Sequence, residues 1–327
     1  MNKTGQTNEK KSYRVILLLA VGLAAFSSAM KELNQIQSFT IETGRLITEW
    51  SSAIVPTASA RTLVVVETCT DRSLAQRSVS SDEFRWSGTI AEGAAIEIRG
   101  INGDIVAEPA TGSDVEVVAV KKARGGDLNS VQMKVVQHPG GVTICALYPT
   151  EDGGSSNSCE PGGRDGSEQP HSSGNRNIRN NDVQVDFNVR VPARVGFIGR
   201  TINGEISATS LSSNVITRTI NGSIKISTSG YAEAGTINGQ ISARLGDTNW
   251  PKSLAFTTLN GGITLDLPAN LSTEVEAQTL NGSIVSDFPL NLTNLNRGKQ
   301  VKGRIGAGGR ELVLKTLNGS INLRIAS

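Results

Sequence analysis

Hydrophobic and polar residues alternate along the chain from Phe84 to its last residue, 327. Runs such as AAIEIRGI, SDVEVVAVKK and SVQMKVVQ are rich in β-branched side chains and are separated by Gly, Pro or Asn. This pattern is typical of β-strands, and no segment in the range keeps a helical period. The chain is therefore predicted to be all-β, with a hairpin turn at His138-Pro139-Gly140-Gly141.

A short phrase, TINGxI or TLNGxI, occurs seven times if the variant GINGDI at Gly100 is counted. Its Asn-Gly pairs are the predicted turn residues: Asn102, Gly103, Asn203, Gly204, Asn221, Gly222, Asn238, Gly239, Asn260, Gly261, Asn281, Gly282, Asn318 and Gly319. From Asn203 onward, successive motif asparagines are 18, 17, 22, 21 and 37 residues apart. A period near 20 predicts a solenoid or a series of hairpins. The last interval predicts one repeat that has lost its Asn-Gly.

Asn-Gly is a strong turn signal because both residues tolerate a positive φ. The pair can close a type I′ hairpin or turn the corner of a β-solenoid. We favour the solenoid, since stacked rungs about 4.8 Å apart would place like residues in columns. The aliphatic residues on both sides of each corner are then expected to form the core: Ile202, Ile206, Ile220, Ile224, Ile237, Ile241, Leu259, Ile263, Leu280, Ile284, Leu317 and Ile321. Residues 84–147 are expected to cover the start of the stack, and the last strand its end.

The N-terminus has the layout of an export signal, with Lys10, Lys11 and Arg14 before the apolar run Val15 to Phe26. We predict that residues 1–30 are a signal peptide or an N-terminal anchor. The pattern predicts no fold for a spacer over residues 31–83. The expected location is the periplasm or the cell surface, with anchoring to the inner membrane by residues 15–30 if the leader stays uncleaved.

If the protein is exported, its three cysteines would meet an oxidising environment in which disulfides form and persist. Cys145 and Cys159 are a candidate disulfide, with two free thiols as the alternative, and Cys69 is left over. A Gly/Ser-rich stretch, residues 150–182, begins between Cys145 and Cys159 and is predicted to be a flexible loop. It separates an N-terminal β part, residues 84–149, from the repeat β-solenoid, residues 183–327.

Charge and chemistry narrow the function. The chain has 32 basic and 30 acidic residues, which gives no electrostatic reason to expect a nucleic-acid partner. It has neither a CxxC pair nor a hydrolase or nucleotide-loop motif, so we expect no catalytic, metal or cofactor-binding residues and no cofactor. The best enzymatic hypothesis is a carboxylate pair, Asp266 and Asp287, placed on adjacent rungs.

Several spaced motifs resemble a known family. They are the TxNGxI repeats, AIEIRGINGDIVAE at 95–108, DVEVVAVKKAR at 114–124, SDFPLNL at 286–292 and RIGAGGRELVLKTLNGSINL at 304–323. In this order they resemble the bacterial "putative adhesin" domain, a domain of unknown function related to the heads of autotransporter adhesins. The resemblance covers about residues 84–327. It implies an exported, β-solenoid-like domain and supplies no catalytic residues.

We therefore expect an exported structural or binding module of the bacterial cell envelope, adhesin-like and without enzymatic activity. Its ligand would be an envelope or surface protein or polysaccharide. The protein would contact the membrane only through an uncleaved N-terminal segment. Two alternatives stay open. One is a membrane-tethered regulatory or sensing domain, and the other is an envelope enzyme that acts on polysaccharide.

Overall fold

The structure is a computed structural model that describes residues 80–149, 159–161, 181–290, 292–294 and 298–326. The predicted leader, Cys69 and nearly all of the predicted loop lie outside the described residues. So does most of the predicted spacer, although its last residues belong to the first strand, which begins at Ser80.

Within the described residues the chain forms 21 β-strands and one short 3-10 helix, Leu128–Ser130. The strands are β1 (Ser80–Thr89), β2 (Ala95–Arg99), β3 (Ile105–Pro109), β4 (Asp114–Ala123), β5 (Gln132–His138), β6 (Gly141–Leu147), β7 (Gln184–Val191), β8 (Gly196–Arg200), β9 (Ile206–Leu211), β10 (Val215–Arg218), β11 (Ile224–Thr228), β12 (Ala232–Gly235), β13 (Ile241–Leu245), β14 (Leu254–Thr257), β15 (Ile263–Leu267), β16 (Thr273–Asn281), β17 (Ile284–Ser286), β18 (Leu292–Asn294), β19 (Lys299–Ile305), β20 (Glu311–Asn318) and β21 (Ile321–Ile325).

Two sheets contain all of these described strands. Sheet A has the order β1-β4-β7-β3-β9-β11-β13-β15-β21-β17, and sheet B has the order β18-β19-β16-β20-β14-β12-β10-β8-β2-β6-β5. Along most of both sheets neighbouring strands run parallel, as in the pairs β8 with β10 and β9 with β11. Each rung contributes one strand to sheet B, turns at Asn-Gly, and contributes the next strand to sheet A. The predicted β-solenoid is therefore confirmed.

Seven rungs follow one another in the described part of the stack. We number them by position, so that rungs 1 to 7 carry Asn102, Asn203, Asn221, Asn238, Asn260, Asn318 and Asn281. The spatial order of the last two is the reverse of their order in the chain, because β20 pairs with β14 on one side and with β16 on the other. The prediction of a repeat without its Asn-Gly is wrong. The long interval instead contains β18 and β19, which pair antiparallel beyond rung 7.

The core confirms only half of the predicted aliphatic columns. The Ile that follows each corner is buried on rungs 2 to 6, for example Ile206 and Ile224 at 1% exposure. On rungs 2 to 7 the aliphatic residue before the Asn lies outside the core, and Ile202 is 37% and Leu280 42% exposed. The Thr before it is buried instead, because successive side chains of a strand point to opposite faces.

Both ends of the stack are closed by strands from outside the repeat. At rung 1, β7 pairs with β3 in sheet A, and β6 pairs with β2 in sheet B. At rung 7, β19 covers β16. The expectation that the last strand caps the end is wrong, since β21 lies between β15 and β17. No helix in the described part of the chain has the length and hydropathy that a membrane crossing requires.

Candidate functional site

The motif asparagines form an exposed ladder at the corners. On rungs 2 to 7, each Nδ2 donates a hydrogen bond of 2.7 to 2.9 Å to Oδ1 of the Asn on the preceding rung. The ladder runs through Asn281, Asn318, Asn260, Asn238, Asn221, Asn203 and Asn102. Like side chains that stack at the strand spacing satisfy one another in this way. The amides therefore hold neighbouring rungs in register.

The motif glycines are required by close approach of neighbouring rungs. A Cβ on Gly222 would lie 1.9 Å from the carbonyl oxygen of Gly204, and Gly204, Gly239, Gly261, Gly282 and Gly319 meet the preceding glycine in the same way. A positive φ is recorded at two of the motif glycines, Gly103 (129°) and Gly261 (158°), and at neither Gly222 nor any motif Asn. A type I′ turn needs a positive φ at both residues, so the corners do not use that geometry.

Buried threonines complete each corner. The Thr two residues before each motif Asn donates its hydroxyl to the Gly carbonyl of the preceding rung, at 2.8 to 3.2 Å. The donors are Thr201, Thr219, Thr236, Thr258, Thr279 and Thr316, and each is at most 7% exposed. A buried hydroxyl needs such a partner. The hydrogen bonds of the repeated phrase are thus used within the stack.

The carboxylate pair of the enzymatic hypothesis is not on adjacent rungs. Asp266 in β15 stands opposite Arg324 in β21, and Asp287 follows β17 on the far side of β21. Asp266 lies 3.5 Å from Nη2 of Arg244, and Asp287 accepts a hydrogen bond from the backbone N–H of Ile325. A strand with a cationic side chain therefore separates the two carboxylates.

Three arginines form a second ladder, on the outer face of sheet B. Arg99 of β2, Arg200 of β8 and Arg218 of β10 are directly in register on adjacent parallel strands. Adjacent strands are about 4.8 Å apart, so the guanidinium groups are close neighbours. Their side chains are 23%, 34% and 30% exposed. We call these three residues the arginine ladder.

A buried carboxylate supports the first two arginines. The Glu97 side chain is 4% exposed, and its Oε1 lies 2.7 Å from Nε of Arg99 and 3.1 Å from Nε of Arg200. Its Oε2 accepts a hydrogen bond of 3.0 Å from the hydroxyl of Thr143, which contacts Nε2 of His138 at 3.1 Å. A buried charge is tolerated when it is paired and hydrogen-bonded in this way. Glu97 therefore holds Arg99 by a hydrogen bond and lies within ion-pair distance of Arg200.

The third arginine is held from the next strand. Nη2 of Arg218 lies 3.5 Å from Oε2 of Glu233, whose Oε1 lies 2.9 Å from Nζ of Lys252. Burial lowers the pKa of Arg218, and the positive charge of Arg200 lowers it further, whereas Glu233 raises it. Like charges thus lie close together on this face.

The candidate disulfide lies beside the same ladder. Cys145 of β6 is in register with Arg99, and it is bonded to Cys159 in the structure. Both cysteines are buried, at 3% and 5% exposure. The short described segment 159–161 is therefore tied to the outer face of sheet B, next to the first arginine.

The sequence contained a signal for the arginine ladder that the motif search passed over. Arg99, Arg200 and Arg218 each precede a motif Asn by three residues, in IRGING, GRTING and TRTING. Rungs 4 to 7 carry Gly235, Thr257, Lys315 and Gln278 at that position, in stack order. The arginine column lies one residue before the six-residue phrase, so a search for the phrase itself does not include it.

Comparisons with known proteins give two distant likenesses among solved structures. No curated protein matches the chain. A solved "putative cell adhesion protein" from Clostridium sporogenes is 11% identical over 75% of this chain and 99% of its own, with a TM-score of 0.36. A "putative adhesin" from Bacteroides fragilis is 10% identical over 74% of this chain and 96% of its own, with a TM-score of 0.28. Likenesses as distant as these two carry no inference about this chain.

One family matches by sequence. Residues 171–324 match the family described as Toastrack DUF4097, a span that contains six of the seven motif repeats and both sheets of rungs 2 to 7. The repeat region of this chain is therefore similar to the Toastrack DUF4097 family.

Proposed function

We propose that the protein is an exported, non-enzymatic binding module of the bacterial cell envelope, adhesin-like in its use of a rigid β-solenoid to present one binding face. The observation that carries this proposal is the arginine ladder. Three in-register guanidinium groups are held in place on a flat sheet by the buried carboxylate of Glu97 and by Glu233. Preorganised charged groups on a rigid element are a feature of binding sites.

Two further observations support parts of the proposal. The Cys145–Cys159 bond supports export, because disulfides persist in oxidising compartments and are rare in the cytosol. The separation of Asp266 from Asp287 by β21 removes the one carboxylate pair that favoured a polysaccharide-active enzyme. Binding without chemistry is therefore the function that this geometry supports best.

Fractionation of native cells tests the proposal. The protein from each fraction would be analysed by intact mass spectrometry before and after thiol alkylation. We expect a mature N-terminus near Met30 or Arg61, an oxidised Cys145–Cys159 pair, and retention with envelope fragments. An intact N-terminus in the membrane fraction would favour the tethered sensing domain. A reduced, cytoplasmic protein would contradict export.

A further inference from the structure

We infer that the arginine ladder binds a linear, carboxylate-bearing polysaccharide that lies across the strands, along the axis of the stack. This inference rests on the proposed function, for which it names the class of ligand. Four features of the outer face of sheet B carry it: unused donors, excess positive charge, a row of positions that extends the ladder, and apolar side chains beside it.

The first feature is the set of unused donors. Arg99 and Arg200 contact Glu97 through Nε. Their Nη groups make no hydrogen bond to any other residue within the described ranges. A guanidinium group presents its donors in a planar fork that matches a carboxylate. Two such forks, held by one buried carboxylate, remain available to a ligand on the outer face.

The second feature is charge. Across β2, β8 and β10 the outward positions carry three guanidinium groups and the single carboxylate of Glu97. At the next strand Glu233 is already within ion-pair distance of both Arg218 and Lys252. Like charges that are partly buried repel one another strongly, because water screens them poorly. An anion placed over the ladder would relieve this repulsion.

The third feature is the continuation of the row. After Arg218 the same position is occupied by Gly235, Thr257 and then Lys315. The Arg218 side chain lies over Gly235, since a Cβ there would lie 2.9 Å from Cδ of Arg218. From Arg99 to Lys315 the row crosses six strands, or about 24 Å. A polymer with evenly spaced charges can meet cations at both ends of such a row.

The fourth feature distinguishes a polysaccharide from an inorganic polyanion. Two residues before the ladder position, the outer face carries the half-buried apolar side chains Ile198 and Ile216 beside Arg200 and Arg218. Glu233 occupies the same position on β12, and Ala255 and Val313 follow on β14 and β20. A uronic acid has a carboxylate on one edge of the ring and apolar C–H groups on its faces. A polyphosphate has no such apolar surface. Sugar residues in an extended chain also advance by a distance close to the strand spacing, so one carboxylate per sugar suits the three arginines on rungs 1 to 3.

Binding of the full-length chain to polygalacturonate tests the inference, with polyphosphate and neutral dextran as comparison polymers. We expect Arg200→Gln to weaken polygalacturonate binding by about tenfold, the cost of losing a charge-assisted bidentate contact. The slope of log affinity against log salt should fall by about one. Arg324→Gln makes the same charge change on sheet A, so its affinity should stay within about twofold of the wild type.

A second variant protects the test against misfolding of Arg200→Gln. Thr257 is exposed and lies within the row, so Thr257→Glu places a negative charge in the path of the polymer without disturbing Glu97. It should also weaken binding by about tenfold. Equal binding by the wild type and both variants would overturn the inference, as would tighter binding of polyphosphate or no binding of polygalacturonate at low salt. Fractionation is independent, since envelope retention unchanged in Arg200→Gln would overturn the inference alone and leave the proposed function standing.

Discussion

The hydroxyl of Thr219 donates a hydrogen bond of 3.0 Å to the carbonyl oxygen of Gly204 on the preceding rung, and Thr219 is 5% exposed. The same carbonyl oxygen is the atom that a Cβ on Gly222 would meet at 1.9 Å. Thr219 and Gly222 thus belong to one phrase and contact one oxygen from two sides. This shared contact explains why Thr and Gly recur together.

Thr219→Val should lower the free energy of unfolding by about 1 to 2 kcal/mol, because the substitution keeps the shape of the side chain and leaves a buried carbonyl without its donor. Thr219→Ser keeps the hydroxyl and should cost less. Chemical denaturation of both variants checks this. Equal stability of Thr219→Val and the wild type would show that the Thr column contributes only packing.

Gly222→Ala should destabilise by more than about 3 kcal/mol, because the added methyl meets backbone that cannot move without separating two rungs. Gly112→Ala is the matched control, since nothing lies within 4 Å of a Cβ built there. Its stability should stay within about 0.5 kcal/mol of the wild type or rise slightly. Similar melting temperatures for the two alanine variants would contradict the close-packed corner.

These two residues also show what the sequence could predict. The period of the phrase was enough to predict stacked rungs and to place all seven corners. It was not enough to predict which side chains face inward, because Thr and Ile are both compatible with a buried column until the direction of Thr219 is known. The spatial order of rungs 6 and 7 could not be predicted from the sequence either. A stack of near-identical phrases offers Asn281 and Asn318 equivalent partners, and only tertiary packing decides between them.

Asp186 lies against the corner of rung 1, at the first end of the stack. Its Oδ1 accepts from the backbone N–H of Asp104 at 3.1 Å, and its Oδ2 accepts from Nζ of Lys122 at 2.9 Å. Burial alone would raise the pKa of Asp186, but the hydrogen bonds from Lys122, Gln184 and Asp104 and the charge of Lys122 hold it below its ordinary value. The ionised form is therefore the one that stabilises the fold.

A carboxyl group whose pKa is lower in the folded than in the unfolded state contributes stability above the unfolded value, about 3.9. That contribution is lost as the pH falls through the folded value. Asp186→Asn should thus cost about 1 to 2 kcal/mol at pH 7 and progressively less below about pH 4. Urea denaturation at several pH values measures it, with Glu116→Gln on β4 as the charge control at pH 7. A cost that is independent of pH would contradict the role given to the carboxylate.

Reduction of the Cys145–Cys159 bond should lower the free energy of unfolding by about 3 kcal/mol, because the bond closes a loop of 14 residues in the unfolded chain. The double variant Cys145→Ser, Cys159→Ser should show the same loss without reductant. Cys69→Ser controls for thiol chemistry and should match the wild type. If reductant affects the wild type but spares Cys69→Ser, the pairing of the cysteines would have to be revised.

The insertion of rung 6 between rungs 5 and 7 has a consequence for biosynthesis. As the chain emerges, rungs 2 to 5 can each dock on the one made before, in the manner of a growing repeat array. The next motif to appear, at Asn281, has no finished surface to join, because the strands that flank it in the described structure, β20 and β21, are made later. Rung 7 can therefore reach its final neighbours only after β20 and β21 have been made, so the order of the last rungs is set once this part of the chain is complete.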